Sequence, residues 1–196
     1  MCSKALLIVL LLALTLAQTP ITPADYAANL GKGFDVTWSE FNKYIKRYTP
    51  SVPQHFAAAG FKNVRIRMNE QNPDDDFFDR LKGQVQDCIN NGIYPILAYQ
   101  GHELEENLNA THQDNKIILA NWWKKMAEEF VGFDYKLSFN VLVEISGRYK
   151  LDYDNVNVFY KAVIDAVRAH DPHRIVIVAP VKLSNPDYLQ YLNFTE

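Results

Sequence analysis

Glu144 closes an apolar, strand-like run over 137–144, in which Leu137, Phe139, Val141 and Val143 lie on one side and Ser138, Asn140, Leu142 and Glu144 on the other. A carboxyl group at the C-terminal end of a strand is placed to give and take a proton, the work of a general acid–base group. An earlier run over 63–68 alternates strictly, with Val64, Ile66 and Met68 on one face and Asn63, Arg65 and Arg67 on the other. An arginine on the same face as a carboxylate favours its ionised form. The competing reading is structural: Glu144 would be buried and paired with Arg65 or Arg67 to hold the interior together.

The elements that must position these groups alternate between strand and helix. A short glycine-bounded strand is predicted over 31–36 and a short helix over 53–59, stopped by Gly60. Acidic residues 74–76 open a longer helix in which Phe77, Leu81, Val85, Cys88 and Ile89 recur at helical spacing. A third strand covers 93–99, and 100–115 reads as a long polar loop. The spacing then predicts helices over 116–130 and 155–170, and a fifth strand over 174–180. Strands separated by helices imply a parallel sheet with right-handed crossovers. Strands of a plain doubly wound sheet read as continuous apolar runs. The polar residues on one face of the second and fourth strands suit a barrel interior better, although an open five-stranded sheet acting as a binding module fits the length.

The N-terminus is expected to be a secretory signal peptide over 1–17: Lys4 precedes a leucine-rich apolar run, and Thr15 and Ala17 are small residues ahead of Gln18. The apolar run is short for a membrane anchor, which needs about 20 residues. No membrane attachment is therefore expected after signal removal, and the localisation expected is extracellular. Loss of Lys4 would take the net charge from −3 to −4, with no basic patch of the kind a nucleic-acid partner requires. Cys88 would remain as the single thiol, on the apolar side of its helix and so buried and structural. Asn109-Ala110-Thr111 and Asn193-Phe194-Thr195 are candidate glycosylation sites. The sequence has no phosphate-binding loop, no Gly-x-Ser-x-Gly elbow and no zinc-ligand spacing, and no cofactor or metal is expected.

Taken in order, several segments carry a family resemblance: Gly31-Lys32-Gly33-Phe34-Asp35 with Trp38 behind it, Gly60 to Ile66, Gly92 to Leu97, Trp122 to Phe130, and the run ending at Glu144. This succession resembles the N-terminal part of a glycoside hydrolase family 5 (cellulase-like) barrel. The fold implied is α/β, a (β/α)8-type TIM barrel of which about five βα units are present, over 18–196. The resemblance makes Glu144 the acid/base of a retaining hydrolysis of β-linked polysaccharide such as glucan or mannan. It gives Arg65 a supporting role beside the nucleophile, which it places on a seventh strand.

Substrate contacts are expected from Arg65, Gln100 and His102. Trp38 and Tyr99, near strand ends, are expected to stack on sugar rings, whereas helical spacing makes Trp123 a core residue. Glu103, Glu105 and Glu106 read as a solvated charge run. Two positions depart from the family pattern. Its fourth strand usually ends Asn-Glu-Pro, where this chain has Val143-Glu144-Ile145, and its third strand leads to a His pair where this chain has Gln100-Gly101. A non-catalytic secreted carbohydrate-binding protein derived from the same barrel is the second expectation. With five strands of eight, residues 18–196 alone are expected to lack turnover and to self-associate through open sheet edges.

Overall fold

The alternation over 63–68 forms a strand, β2 (Asn63–Met68), which lies between β1 (Gly33–Ser39) and β3 (Tyr94–Tyr99). β4 (Ser138–Asn140) and β5 (Ile175–Ile177) continue the same sheet in chain order. Every pairing is parallel, with Arg65 opposite Asp35 and Ile96, and Asn140 opposite Ala98 and Ile177. Parallel neighbours require crossovers, and helices supply them: α2 (Val52–Ala58), α3 (Asp75–Asn90), α4 (His102–Glu106), α5 (His112–Glu129) and α6 (Tyr153–Arg168). α1 (Pro23–Leu30) precedes β1. The structure, a computed structural model, describes residues 19–41, 45 and 47–193, so the expected signal segment lies outside the described residues.

Local chemistry sets the helix starts. Asp74 accepts from the Phe77 amide at 2.8 Å to begin α3. Thr111 and Asp114 form a reciprocal capping box, which starts α5 at His112, four residues before the expected start at Lys116. Part of the segment expected as polar loop is helical: α4 occupies 102–106, with Leu104 and Glu105 buried. α1 was also not expected. Thr22 caps it, accepting from the Asp25 amide at 3.1 Å, and Pro23 pre-sets its first turn.

β4 is shorter than the run 137–144 predicts, with regular pairing ending at Asn140. Its side-chain amide donates to the carbonyls of Ile177 and Leu142, both at 3.3 Å. The chain beyond still lies between its neighbours, with the Val141 amide on the Ile177 carbonyl and the Val143 amide on the Tyr99 carbonyl.

One face of the sheet packs on the helices. Val36, Ile66, Met68, Leu97, Tyr99 and Phe139 meet Phe78, Leu81 and Val85 of α3 and Leu119, Trp123 and Met126 of α5 in one buried cluster. Burial of each large side chain there contributes roughly 1.5–3 kcal/mol. Cys88 belongs to this layer, and burial pushes its thiol up to about 12. Arg174 closes the α5 side of the sheet. Its guanidinium donates to the carbonyls of Phe133, Asp134 and Leu137 at 2.8–3.0 Å and pairs with Asp171, and both side chains are buried.

The other face is polar and holds Asp35, Arg65, Arg67, Ser138 and Asn140. Its N-terminal end is closed by α1, where the Tyr26 hydroxyl donates to Ser138 Oγ at 2.7 Å and its ring stands edge-on to Tyr94. Among the described residues β1 and β5 are the outer strands, and both faces of β5 are part-exposed.

Candidate active site

The C-terminal ends of β1 to β4 converge on a set of charged side chains. β1 pairs with β2 regularly through Val36, after which the register shifts and Ser39 stands opposite Met68. One extra residue in a strand exchanges its two faces. Ser39 accordingly turns outward and donates to Gln84 of α3 at 2.8 Å. Glu40 turns inward, where it is 7% exposed and accepts from Arg67 Nη2 at 2.6 Å and from Gln100 Nε2 at 3.2 Å.

Below Glu40, Arg65 spans from β2 to β1. It pairs with Asp35 through Nε and Nη2 at 2.5 and 2.7 Å, and its Nη1 reaches Asn140 Oδ1 at 3.4 Å. The Asp35 hydrogen bonds hold the Arg65 guanidinium above its ordinary range, against the opposing effect of burial, and Glu144 adds attraction. Arg67 lies 3.9 Å from Asp35 as well, which links the two arginines and two carboxylates into one layer of near-zero charge.

Glu144 sits above this layer. Its side chain is exposed and its backbone is left-handed, with φ 53°. Such a conformation costs a non-glycine residue roughly 1–2 kcal/mol and persists where neighbours enforce it. Val143 and Ile145 on either side are buried, and the Ile145 carbonyl accepts from the Leu183 amide at 3.0 Å. The arginines' carboxylate partners are Asp35 and Glu40, so the reading of Glu144 as a buried structural acid is replaced by an exposed carboxylate over a neutralised arginine layer.

Not all expected substrate contacts lie here. Trp38 and Tyr99 are on the outer face, 5% and 1% exposed. Trp38 stacks on Phe56, and Tyr99 stacks on Trp122 at 4.1 Å. Their parity matches Val36 and Met68, so these rings fill the sheet–helix layer rather than offering a sugar platform. Gln100 reaches the site, but its amide is engaged by Glu40. His102 is half exposed, 3.8 Å from Glu105. Asn109 and Asn193, the expected glycosylation positions, are both exposed.

The glutamate run is not uniformly solvated. Glu106 is exposed, but Glu105 is buried and accepts from the Ser146 amide at 2.7 Å and from the Ser146 hydroxyl. Glu103 accepts from the Tyr99 hydroxyl, and burial raises its carboxyl above the ordinary range. Asp35, Glu40 and Glu105 were missed as site residues. The alternation of β1 could have signalled Asp35, whereas no local pattern signals the other two. Among the described residues, no group of three or more His, Cys, Asp or Glu could hold a metal ion.

The family model for cellulase, glycosyl hydrolase family 5, matches residues 27–194. The chain belongs to glycosyl hydrolase family 5. Solved structures of the family share its fold. A family 5 enzyme from Prevotella bryantii is 19% identical with a TM-score of 0.77, over 91% of this chain and 63% of that one. A mutant of that enzyme, in complex with a xyloglucan tetradecasaccharide, is similar at 20% identity and TM-score 0.77, over 91% and 63%. A hyperthermophilic endo-β-1,4-glucanase in complex with substrate is 22% identical with a TM-score of 0.77, over 87% and 58%. The chain therefore spans about three fifths of the length of these relatives. Comparison with curated proteins gives no match. The five parallel strands and their helices are thus βα units of a (β/α)8-type barrel, and the family 5 chain carries Glu144, Gln100, Glu40 and Arg67 around the strand ends where such barrels place their chemistry.

Proposed function

We propose that this protein is a secreted glycoside hydrolase that cleaves β-linked polysaccharide, glucan or mannan, with retention of configuration, and that Glu144 is its acid/base. The observation that carries the reading is the placement of Glu144, an exposed carboxylate at the C-terminal end of the β4 segment, held in a left-handed turn above Arg65. In the first step Glu144 gives its proton to the glycosidic oxygen as the C1–O bond breaks, while a second carboxylate attacks C1 and forms a glycosyl ester. In the second step Glu144 takes a proton from water as that water attacks C1 and the ester bond breaks. The second carboxylate must lie about 5–5.5 Å from the first, and the family resemblance assigns it to a seventh strand, beyond the five described. Secretion is supported by the apolar leader over 1–17 and by two exposed Asn-x-Thr asparagines. β-Glucan as substrate is supported by the xyloglucan and glucanase relatives.

A second reading, a non-catalytic carbohydrate-binding protein, is favoured by the burial of Val143 and by the use of the Gln100 amide on Glu40. The natural secreted protein, assayed for reducing ends from xyloglucan, mixed-linkage glucan and mannan, separates the two. Turnover lost by ~10²–10⁴-fold in Glu144→Gln supports the acid/base assignment. Polysaccharide binding without turnover supports the second reading. Turnover unchanged by Glu144→Gln would sink the assignment.

A further inference from the structure

The left-handed turn at Glu144 has a partner that the sequence does not announce. Two residues downstream, Ser146 gives both its donors to one carboxylate: its amide to Glu105 Oε1 at 2.7 Å and its hydroxyl to Glu105 Oε2. Glu105 is 5% exposed, and a carboxylate so buried is kept only where donors satisfy it. The next residue, Gly147, lies so close that a Cβ there would stand 2.9 Å from Glu105 Cβ and 3.1 Å from the Glu105 carbonyl oxygen. α4 is thus pressed against the segment that follows Glu144. Upstream, the Val143 amide is fixed by the Tyr99 carbonyl at 2.9 Å. The turn is held on one side by the end of β3 and on the other by Glu105.

We infer that Glu105 is a positioning residue for Glu144: by binding Ser146 at two points, it holds the turn that aims the acid/base carboxyl at the glycosidic oxygen. This rests on the reading of Glu144 as acid/base. Glu105 touches neither substrate nor reacting atoms, and it acts through the backbone of 144–146. Proton transfer requires hydrogen-bond reach, and a displacement of about 1 Å can cost about 10²-fold.

The test uses the natural secreted protein and two substrates of the same glycone. One is a 2,4-dinitrophenyl β-glycoside, whose leaving group departs without a proton; the other is an unactivated β-linked oligosaccharide. The value of kcat/KM reports bond cleavage in both. Glu105→Ala and Ser146→Ala should each depress kcat/KM on the oligosaccharide, by ~10–100-fold for Glu105→Ala and less for Ser146→Ala, and leave the dinitrophenyl substrate within about threefold. The ratio of the two is insensitive to the fraction of folded protein, so a merely structural loss would lower both alike. Glu105→Gln, which keeps one acceptor oxygen, should lie between wild type and Glu105→Ala. Equal loss on both substrates, with Glu144→Gln selective for the oligosaccharide, overturns the inference and leaves the acid/base reading standing. A non-selective Glu144→Gln, or a wild-type protein without turnover on either substrate, overturns both.

Discussion

Arg65 and Asp35 face each other across β2 and β1 and meet in a two-point ion pair, Nε to Oδ1 at 2.5 Å and Nη2 to Oδ2 at 2.7 Å. The side chains are 30% and 34% exposed, so water screens the attraction while the fork geometry favours it. A double-mutant cycle of Asp35→Ala and Arg65→Ala, read by urea unfolding, is expected to give a coupling of about 0.5–1 kcal/mol. The guanidinium is raised above its ordinary range, so its contribution is complete below that range and is lost only in strong alkali. The coupling should therefore be flat between about pH 6 and 9. Zero coupling would show that solvent competes the pair away.

Gly147 is left-handed, with φ 49°, and has no room for a Cβ against Glu105. Gly147→Ala is expected to destabilise by at least about 1–2 kcal/mol from the backbone alone. Gly83, exposed within α3 with open space around it, is the control. Gly83→Ala should stabilise by about 0.5–1 kcal/mol. Similar unfolding midpoints for the two variants would contradict the close packing of Gly147 on Glu105.

Glu103 provides a pH-dependent signature. Its folded-state carboxyl is raised above the ordinary value of 4.5, chiefly by burial, so the folded state holds this proton more tightly than the unfolded chain. Its contribution to stability is full below the ordinary value and is lost as pH rises through the folded one. Glu103→Gln, which cannot ionise, should gain on wild type in melting temperature between pH 4 and 7. A melting difference that is constant over that interval would refute it.

Arg174 is 1% exposed and satisfied by three carbonyls and Asp171. Asp171→Ala removes its counter-charge and is expected to cost about 3–5 kcal/mol. Chemical denaturation measures this, and a loss below 1 kcal/mol would mean that the carbonyls suffice.

What the sequence made legible follows from short-range periodicity. β2 came out at 63–68 because Val64, Ile66 and Met68 alternate without a break. α3 and α6 were legible from apolar spacing over about four turns. The shortfall of β4 was not, because the apolar run continues past Asn140 and carries no local mark of where regular pairing with β3 and β5 ends. α4 is too short for a period, and only Leu104 and Glu105 mark its buried side. The aromatic residues were mistaken for site residues because nearness to a strand end does not fix which face a ring takes; Trp38 and Tyr99 follow the outward parity. Glu40 and Glu105 depend on partners 27, 60 and 41 residues away, at Arg67, Gln100 and Ser146, and no local pattern carries such pairings.

The shifted register between Val36 and Ser39 decouples the side chains before it from those after it. Deleting Thr37 would remove the extra residue, leaving Ser39 opposite Met68 and Glu40 turned inward toward Arg67, while Trp38 would leave the helix layer for the polar face opposite Arg67. A structure of the deletion variant would reveal the exchange, and Tyr48 and Phe56 would lose the ring they pack against. The extra residue thus lets one strand end send Trp38 into the core and still deliver a carboxylate to the mouth.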